Sequence, residues 1–173
     1  MNTTERFSPA ERKALEFAAL KHKGQPRKGG ADYIDHPLAV ANYLLDKGYS
    51  GDYIFTALFH DLLEDTDATE EEILELASSI TLDAVKLMTK PKGADIGDYL
   101  AKIRENQVAF VVKVADRINN LRDAVLADLE FQENYLKETE DFYLEFARKS
   151  PFYEDIVGAF LRLQEDHLSK RRW

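Results

Sequence analysis

DYIFTALFHDLLED, residues 52–65, is the stretch on which the fold turns. Ile54, Phe55, Ala57, Leu58, Phe59, Leu62 and Leu63 leave hardly any polar face. A helix from about Asp52 to Glu64 therefore has to be central and surrounded by protein. The same stretch also carries His60, Asp61, Glu64 and Asp65. His60 and Glu64 are four residues apart, as are Asp61 and Asp65, so each pair shares a helix face. Ionisable groups at the end of a buried helix are costly unless something compensates them. A divalent cation is the simplest compensation, because it turns desolvated acceptors into ligands. Glu64 and Asp65 alone also read as the solvated end of a helix. His60-Asp61, framed by Leu58-Phe59 and Leu62-Leu63, does not.

Outward from this segment the dominant period is helical. Ser8-Pro9-Ala10-Glu11 is a capping box with Pro at the first helical position. It opens a helix with Leu15, Ala18, Ala19 and His22 on one face, ended by Gly24 and Pro26. Pro37 starts a second helix with Leu38, Val40, Ala41, Leu44 and Leu45, closed by Gly48. Thr69-Glu70-Glu71-Glu72 is another capping box, and Thr81 reads as the cap of the segment after it. Pro91-Lys92-Gly93 is a break, and Tyr99–Arg104 has a helical pattern. Phe110-Val111-Val112-Lys113-Val114 has the composition of a strand. Ala109, Val112, Ala115, Asn119 and Arg122 nevertheless follow helical spacing, so Val108–Ala127 is read as a helix. Amphipathic helices near Gln132–Lys149 and Tyr153–His167 complete the chain. Without repeats, a linker or strand–helix alternation, the expected fold is all-α. It is a compact helical bundle in a single domain over residues 1–173, with a motif-bearing core at about 8–125 and C-terminal helices at about 130–168.

The bulk numbers narrow the chemistry. With no cysteine, disulfides, thiolate metal sites and cysteine nucleophiles are excluded, and a cytoplasmic setting is expected. The N-terminus has no signal-peptide pattern, and no apolar run approaches the roughly 20 residues that span a bilayer, so no membrane partner is expected. A net charge of −9 disfavours binding to a nucleic-acid polymer. Residues 21–30, KHKGQPRKGG, hold Lys21, Lys23, Arg27 and Lys28 without an acid. Such a loop on an acidic protein suits a small anionic ligand, or else is a solvated turn.

Two further groups stand out. Asp116 interrupts the apolar run Val111–Ile118, with Asn120 one turn on. The alternative for Asp116 is a local ion pair with Lys113 or Arg117. His36 stands just before the second helix and gains weight only as part of the set. His22 and His167 have no such setting and are read as structural or surface groups.

Taken in order, H…HD…D resembles the HD superfamily of metal-dependent phosphohydrolases. More closely, it is similar to the hydrolase domain of RelA/SpoT-type enzymes and to small stand-alone alarmone hydrolases. The resemblance is carried by residues 21–28, KHKGQPRK, residues 33–38, YIDHPL, residues 60–66, HDLLEDT, and residues 113–121, KVADRINNL. It implies that His36, His60, Asp61 and Asp116 bind one divalent ion, typically manganese. Mixed imidazole and carboxylate ligation suits that ion on chemical grounds as well. It implies Glu64 and Asp65 as catalytic acids beside the metal. Arg27 would pack on the base, Lys28 would meet phosphate, Asn120 would contact the nucleoside, and Tyr33 would line the pocket. The reaction implied is removal of pyrophosphate from the 3′ position of guanosine tetra- or pentaphosphate, part of the stringent response. A metal-activated water would be the nucleophile and Glu64 its general base.

Departures from the family pattern are Gly29, where Ser is common, Asp123, where Thr is common, and the segment 91–97. They bear on the base rather than on the metal. No synthetase half follows the hydrolase region, so hydrolysis without synthesis is expected. The competing readings are an HD hydrolase for another nucleotide or phosphoester, and a module that binds an alarmone without cleaving it.

Overall fold

The structure, a computed structural model, describes residues 6–27 and 30–171. Its helices are α1 (Pro9–Lys21), α2 (Asp35–Asp46), α3 (Asp52–Phe59), α4 (Leu62–Asp65), α5 (Glu70–Leu76) and α6 (Ser79–Met88). They continue with α7 (Ile96–Arg104), α8 (Gln107–Asp123), α9 (Leu129–Glu138), α10 (Leu144–Ala147) and α11 (Tyr153–Lys170). A 3₁₀ turn, Ala124–Leu126, extends α8, and a π-helical turn, Thr139–Tyr143, joins α9 to α10. Among the described residues there is no strand, only an isolated bridge between Pro26 and Asp32 across the basic loop. No described helix is long and apolar enough to cross a membrane. The all-α expectation holds.

Local chemistry explains the boundaries. Both capping boxes form: Ser8 accepts from the Glu11 N–H while Glu11 accepts from Ser8, and Thr69 and Glu72 do the same. Each such cap contributes about 1 kcal/mol. Gly48, at φ +83°, closes α2 in the left-handed region that a side chain would disfavour. The cap of α6 is Ser78 rather than Thr81: Ser78 accepts from the Thr81 N–H. The Thr81 hydroxyl instead donates to Asp52 Oδ1 at 2.8 Å, and Ser78 also bonds Asp52, tying the start of α3 to α6.

The core runs through α3 and α8. On α3 and just beyond it, Ile54, Ala57, Leu58, Phe59 and Leu62 have no exposed surface. Helix α8 is equally enclosed, with Val111, Val112, Val114, Ile118 and Leu121 all buried. It packs against α2, α3, α6, α7 and α11. That enclosure explains the strand-like composition of residues 110–114: β-branched side chains here fill a core touched from all sides, and Asn106 caps the first turn by accepting from the Ala109 N–H.

The central helix differs from its sequence reading in one respect. It is not continuous to Glu64 but breaks at His60-Asp61, where Asp61 has φ −101° and ψ −3°. On an unbroken helix, neighbouring residues point about 100° apart. At the break, both side chains turn toward one point.

The C-terminal region is held to α8 by Arg117, which is 3% exposed. Its guanidinium lies between the rings of Tyr135 and Tyr143, at 3.6 and 4.0 Å from their centroids. It donates to the Tyr135 carbonyl, to Thr139 Oγ1 and to Glu138 Oε1. The side chain considered as a partner for Asp116 is therefore engaged elsewhere.

Candidate active site

Three segments meet at the C-terminal end of α3. His36 comes from the first turn of α2, His60 and Asp61 from the break after α3, and Asp116 from the middle of α8. The His60 Nδ1–H donates to the Ala57 carbonyl at 2.8 Å, satisfying an end-of-helix acceptor. The His36 Nδ1–H donates to Asn119 Oδ1 at 2.6 Å. Both bonds fix the tautomer and leave Nε2 facing inward, the orientation that metal-binding histidines require.

The two Nε2 atoms lie 3.2 Å apart. Asp116 Oδ1 is 3.0 Å from that of His36 and 3.6 Å from that of His60. Asp61 Oδ2 is 3.1 Å from His60 Nε2 and 3.8 Å from His36 Nε2. The inward atoms of His36, His60 and Asp116 all lie within 4.8 Å of one another, so these three could hold a metal ion. Two imidazole lone pairs and carboxylate oxygens cannot converge in this way without a proton or a cation among them. The residues therefore fit a divalent ion by donor type, tautomer and proximity.

The electrostatics agree. Burial opposes a charged His60, but the carboxylates of Asp61 and Asp116 outweigh it and push its pKa up to about 10. Burial likewise opposes a charged Asp61, yet His60 beside it holds its carboxyl below the usual range. For Asp116, burial is overcome by Lys113, His36 and His60, which hold it well below the usual range. Lys113 Nζ pairs with Asp116 Oδ2 at 3.0 Å, leaving Oδ1 to face the histidines and Asn120. Asp116 thus has both its local ion partner and its inward role. Burial and the Asp61 carboxylate raise the Tyr33 phenol, which stays a neutral donor. Its oxygen is 2.8 Å from Asp61 Oδ2 and 3.0 Å from Asp65 Oδ2, so one proton serves both carboxylates.

A cavity of about 280 Å³ opens over this cluster. Tyr33, His36, Asp61, Glu64, Asp65 and Asp116 line it, as do Arg27 and Asn120. Glu64 is held by the Lys90 backbone N–H, which donates to Oε2 at 2.9 Å. Arg27 donates to Asn120 Oδ1 at 2.7 Å, and Asn120 donates to Asp116 Oδ1 at 2.6 Å. Every residue that the family resemblance assigned to the site reaches one cavity, except His60, which is buried against Asp61, and Lys28, which lies outside the described residues. The basic loop does not act as a unit, however. Lys21 is engaged by Asp67 and Glu72, away from the cluster. His22 and His167 are buried and structural: His22 stacks on Tyr33 at 4.6 Å, and His167 faces Gln132.

The sequence reading missed Asn119, Lys90, Glu138 and Tyr143. Asn119 was recoverable, because it stands one turn after Asp116 on α8. Lys90, Glu138 and Tyr143 reach the cavity from the α6–α7 connection and from the end of α9 and the π-helical turn. No spacing within their own segments marks them.

Comparison with known proteins gives the same picture. The family model described as HD domain matches residues 14–152. Guanosine-3′,5′-bis(diphosphate) 3′-pyrophosphohydrolase of Aquifex aeolicus is 35% identical over 145 residues, covering 79% of this chain and 21% of that protein. A probable GTP pyrophosphokinase of Mycobacterium leprae is 35% identical over 136 residues, covering 73% of this chain and 17% of its own length. The chain thus spans about a fifth of the curated relatives it matches. Among solved structures, a metazoan ortholog of SpoT, described as hydrolyzing ppGpp and playing a role in starvation responses, superposes with a TM-score of 0.75. That match has 24% identity and covers 90% of this chain and 96% of the other. With the family model matched across most of its length and the paired histidines and aspartates meeting at one point, the chain belongs to the HD domain family.

Proposed function

We propose that this chain is a metal-dependent phosphohydrolase that removes the 3′-pyrophosphate of guanosine tetra- or pentaphosphate. The observation that carries the proposal is the facing pair of His36 and His60 Nε2 atoms, with Asp116 beside them, at the base of a cavity that also holds Glu64 and Asp65. The relatives named as 3′-pyrophosphohydrolases support the substrate.

In this reading His36, His60, Asp61 and Asp116 would ligate the ion, and a mixed set of nitrogen and oxygen donors is compatible with Mn²⁺. When bound, such an ion supplies Lewis-acid activation of water and neutralises phosphate charge. Glu64, held in place by the Lys90 N–H, takes the proton of the attacking water. Asp65 and Tyr33 keep the Asp61 side of the site in register. Arg27 and Asn120 hold the nucleotide. Water adds across the 3′ O–P bond, leaving a ribose hydroxyl and free pyrophosphate. A cytoplasmic setting belongs to the same proposal.

The test is incubation of the Mn²⁺-loaded protein with guanosine tetraphosphate, followed by separation of the products. Equimolar guanosine 5′-diphosphate and pyrophosphate are expected. Intact substrate with fully loaded metal would overturn the proposal.

A further inference from the structure

Next to the metal cavity lies a second pocket of about 310 Å³, which shares Arg27, Tyr33 and Asn120 with it. Its far wall is largely apolar. Ala124 and Ala127 flank the rings of Phe131 and Tyr135, which are stacked on each other at 5.2 Å with 16° between their planes. A pocket of this size with aromatic and aliphatic lining suits a planar heterocycle.

The polar groups around it are largely engaged with one another. Asn120 uses its amide nitrogen on Asp116 and its oxygen on Arg27. Arg27 presents its Nε and Nη2 edge to Asp123 Oδ2, at 3.0 and 2.9 Å, and Nη2 also reaches Asn120. These bonds fix the plane of the guanidinium. They engage only Oδ2 of Asp123. Oδ1 has no hydrogen-bond partner among the described residues, and the side chain is 43% exposed at the pocket edge.

A carboxylate only accepts hydrogen bonds. It therefore selects a ring that offers donors and penalises one that offers a lone pair at the same place. We propose that Asp123 reads the base, accepting from the N1–H and exocyclic N2–H₂ edge of guanine. The assignment deepens the nucleotide reading given above and rests on it. Hypoxanthine keeps N1–H but lacks the amine, so it forfeits one charge-assisted bond. Adenine puts an acceptor nitrogen against the carboxylate. A site built around a specific hydrogen bond rejects analogues that leave its polar group unpaired.

The experiment is calorimetric titration of the Mn²⁺-loaded protein with guanosine, inosine and adenosine 5′-diphosphates. It is run on the wild type and on Asp123→Asn, which keeps the shape but loses the pure acceptor. The wild type should bind the guanosine nucleotide about tenfold more tightly than the inosine one, and at least about 100-fold more tightly than the adenosine one. In Asp123→Asn both ratios should collapse toward unity. Wild-type protein that binds adenosine diphosphate as tightly as guanosine diphosphate, or that binds none of the three, overturns the assignment. So does a folded Asp123→Asn variant with unchanged ratios. Should that variant fail to fold, the wild-type ratios still decide. Release of pyrophosphate from guanosine tetraphosphate on the same sample separates the two claims. Base preference without turnover removes the hydrolase reading alone, and turnover without base preference removes the role of Asp123 alone.

Discussion

His60 Nε2 and Asp61 Oδ2 lie 3.1 Å apart although the two residues are neighbours in sequence. An intact α-helix could not bring them together, since consecutive side chains diverge by about 100°. The break between α3 and α4 makes the contact possible, and there the His60 ring caps the Ala57 carbonyl. Local helix geometry is given up at the position where two adjacent side chains must serve one centre.

Removing Asp61 should therefore empty the centre while sparing the fold. The Asp61 side chain is 20% exposed, and it contributes its inward oxygen and an acceptor for Tyr33. Asp61→Ala should lose bound metal and all turnover while keeping its helical circular dichroism. Elemental analysis of the purified variant checks this, and full metal content would remove Asp61 from the ligand set.

Glu64 should behave in the opposite way. It touches the Lys90 backbone rather than the histidines, so metal content should not depend on it. Glu64→Gln should hold a full complement of metal and lose about 10²–10⁴ in kcat, the usual contribution of a positioned base. Wild-type kcat in that variant would show that another group moves the proton.

The limits of the sequence reading follow from the same chemistry. Asp116 and His60 were visible because a charged or polar side chain in an apolar run is a local anomaly, and both prove buried. The all-α fold was visible because the helical period persists through residues 110–114 despite their β-branched side chains. The break at His60-Asp61 was not visible: Leu62 and Leu63 carry the apolar pattern across it. The wall made by Glu138 and Tyr143 was equally hidden, because it depends on a π-helical turn and on the distant Arg117, neither of which leaves a periodic signature.

Metal binding should depend on pH in a definite direction. The folded-state pKa of His60 is raised, from 6.5 to about 10. In the absence of metal, its charged form contributes stability that is fully present below about 6.5 and lost as the pH rises through about 10. A metal ligand must be the neutral imidazole, so binding below pH 10 displaces the proton. Mn²⁺ affinity should accordingly rise by up to about tenfold per pH unit between 7 and 9. Titrations in two buffers of different ionisation enthalpy would count the released proton, and a pH-independent affinity would contradict the assignment.

Arg117 offers the clearest test of what the C-terminal helices do. Its guanidinium is buried between two tyrosine rings and satisfies the Tyr135 carbonyl, Thr139 and Glu138 together. Arg117→Ala leaves those groups without their donor and opens a void, a loss of about 3 kcal/mol. For a domain of this size that corresponds to a fall in Tm of about 6–12 °C. Arg117→Lys keeps the charge but not the planar fork, so it should recover only part of the loss. Because Glu138 and Tyr143 line the cavity, loosening their anchor should raise KM, while metal content should be unchanged, because the ligands proposed for the ion sit on α2, α8 and the turn after α3. Thermal melts, metal content and steady-state kinetics on the two variants check the three parts separately. Unchanged KM in a destabilised Arg117→Ala would mean that the C-terminal helices brace the fold without shaping the site.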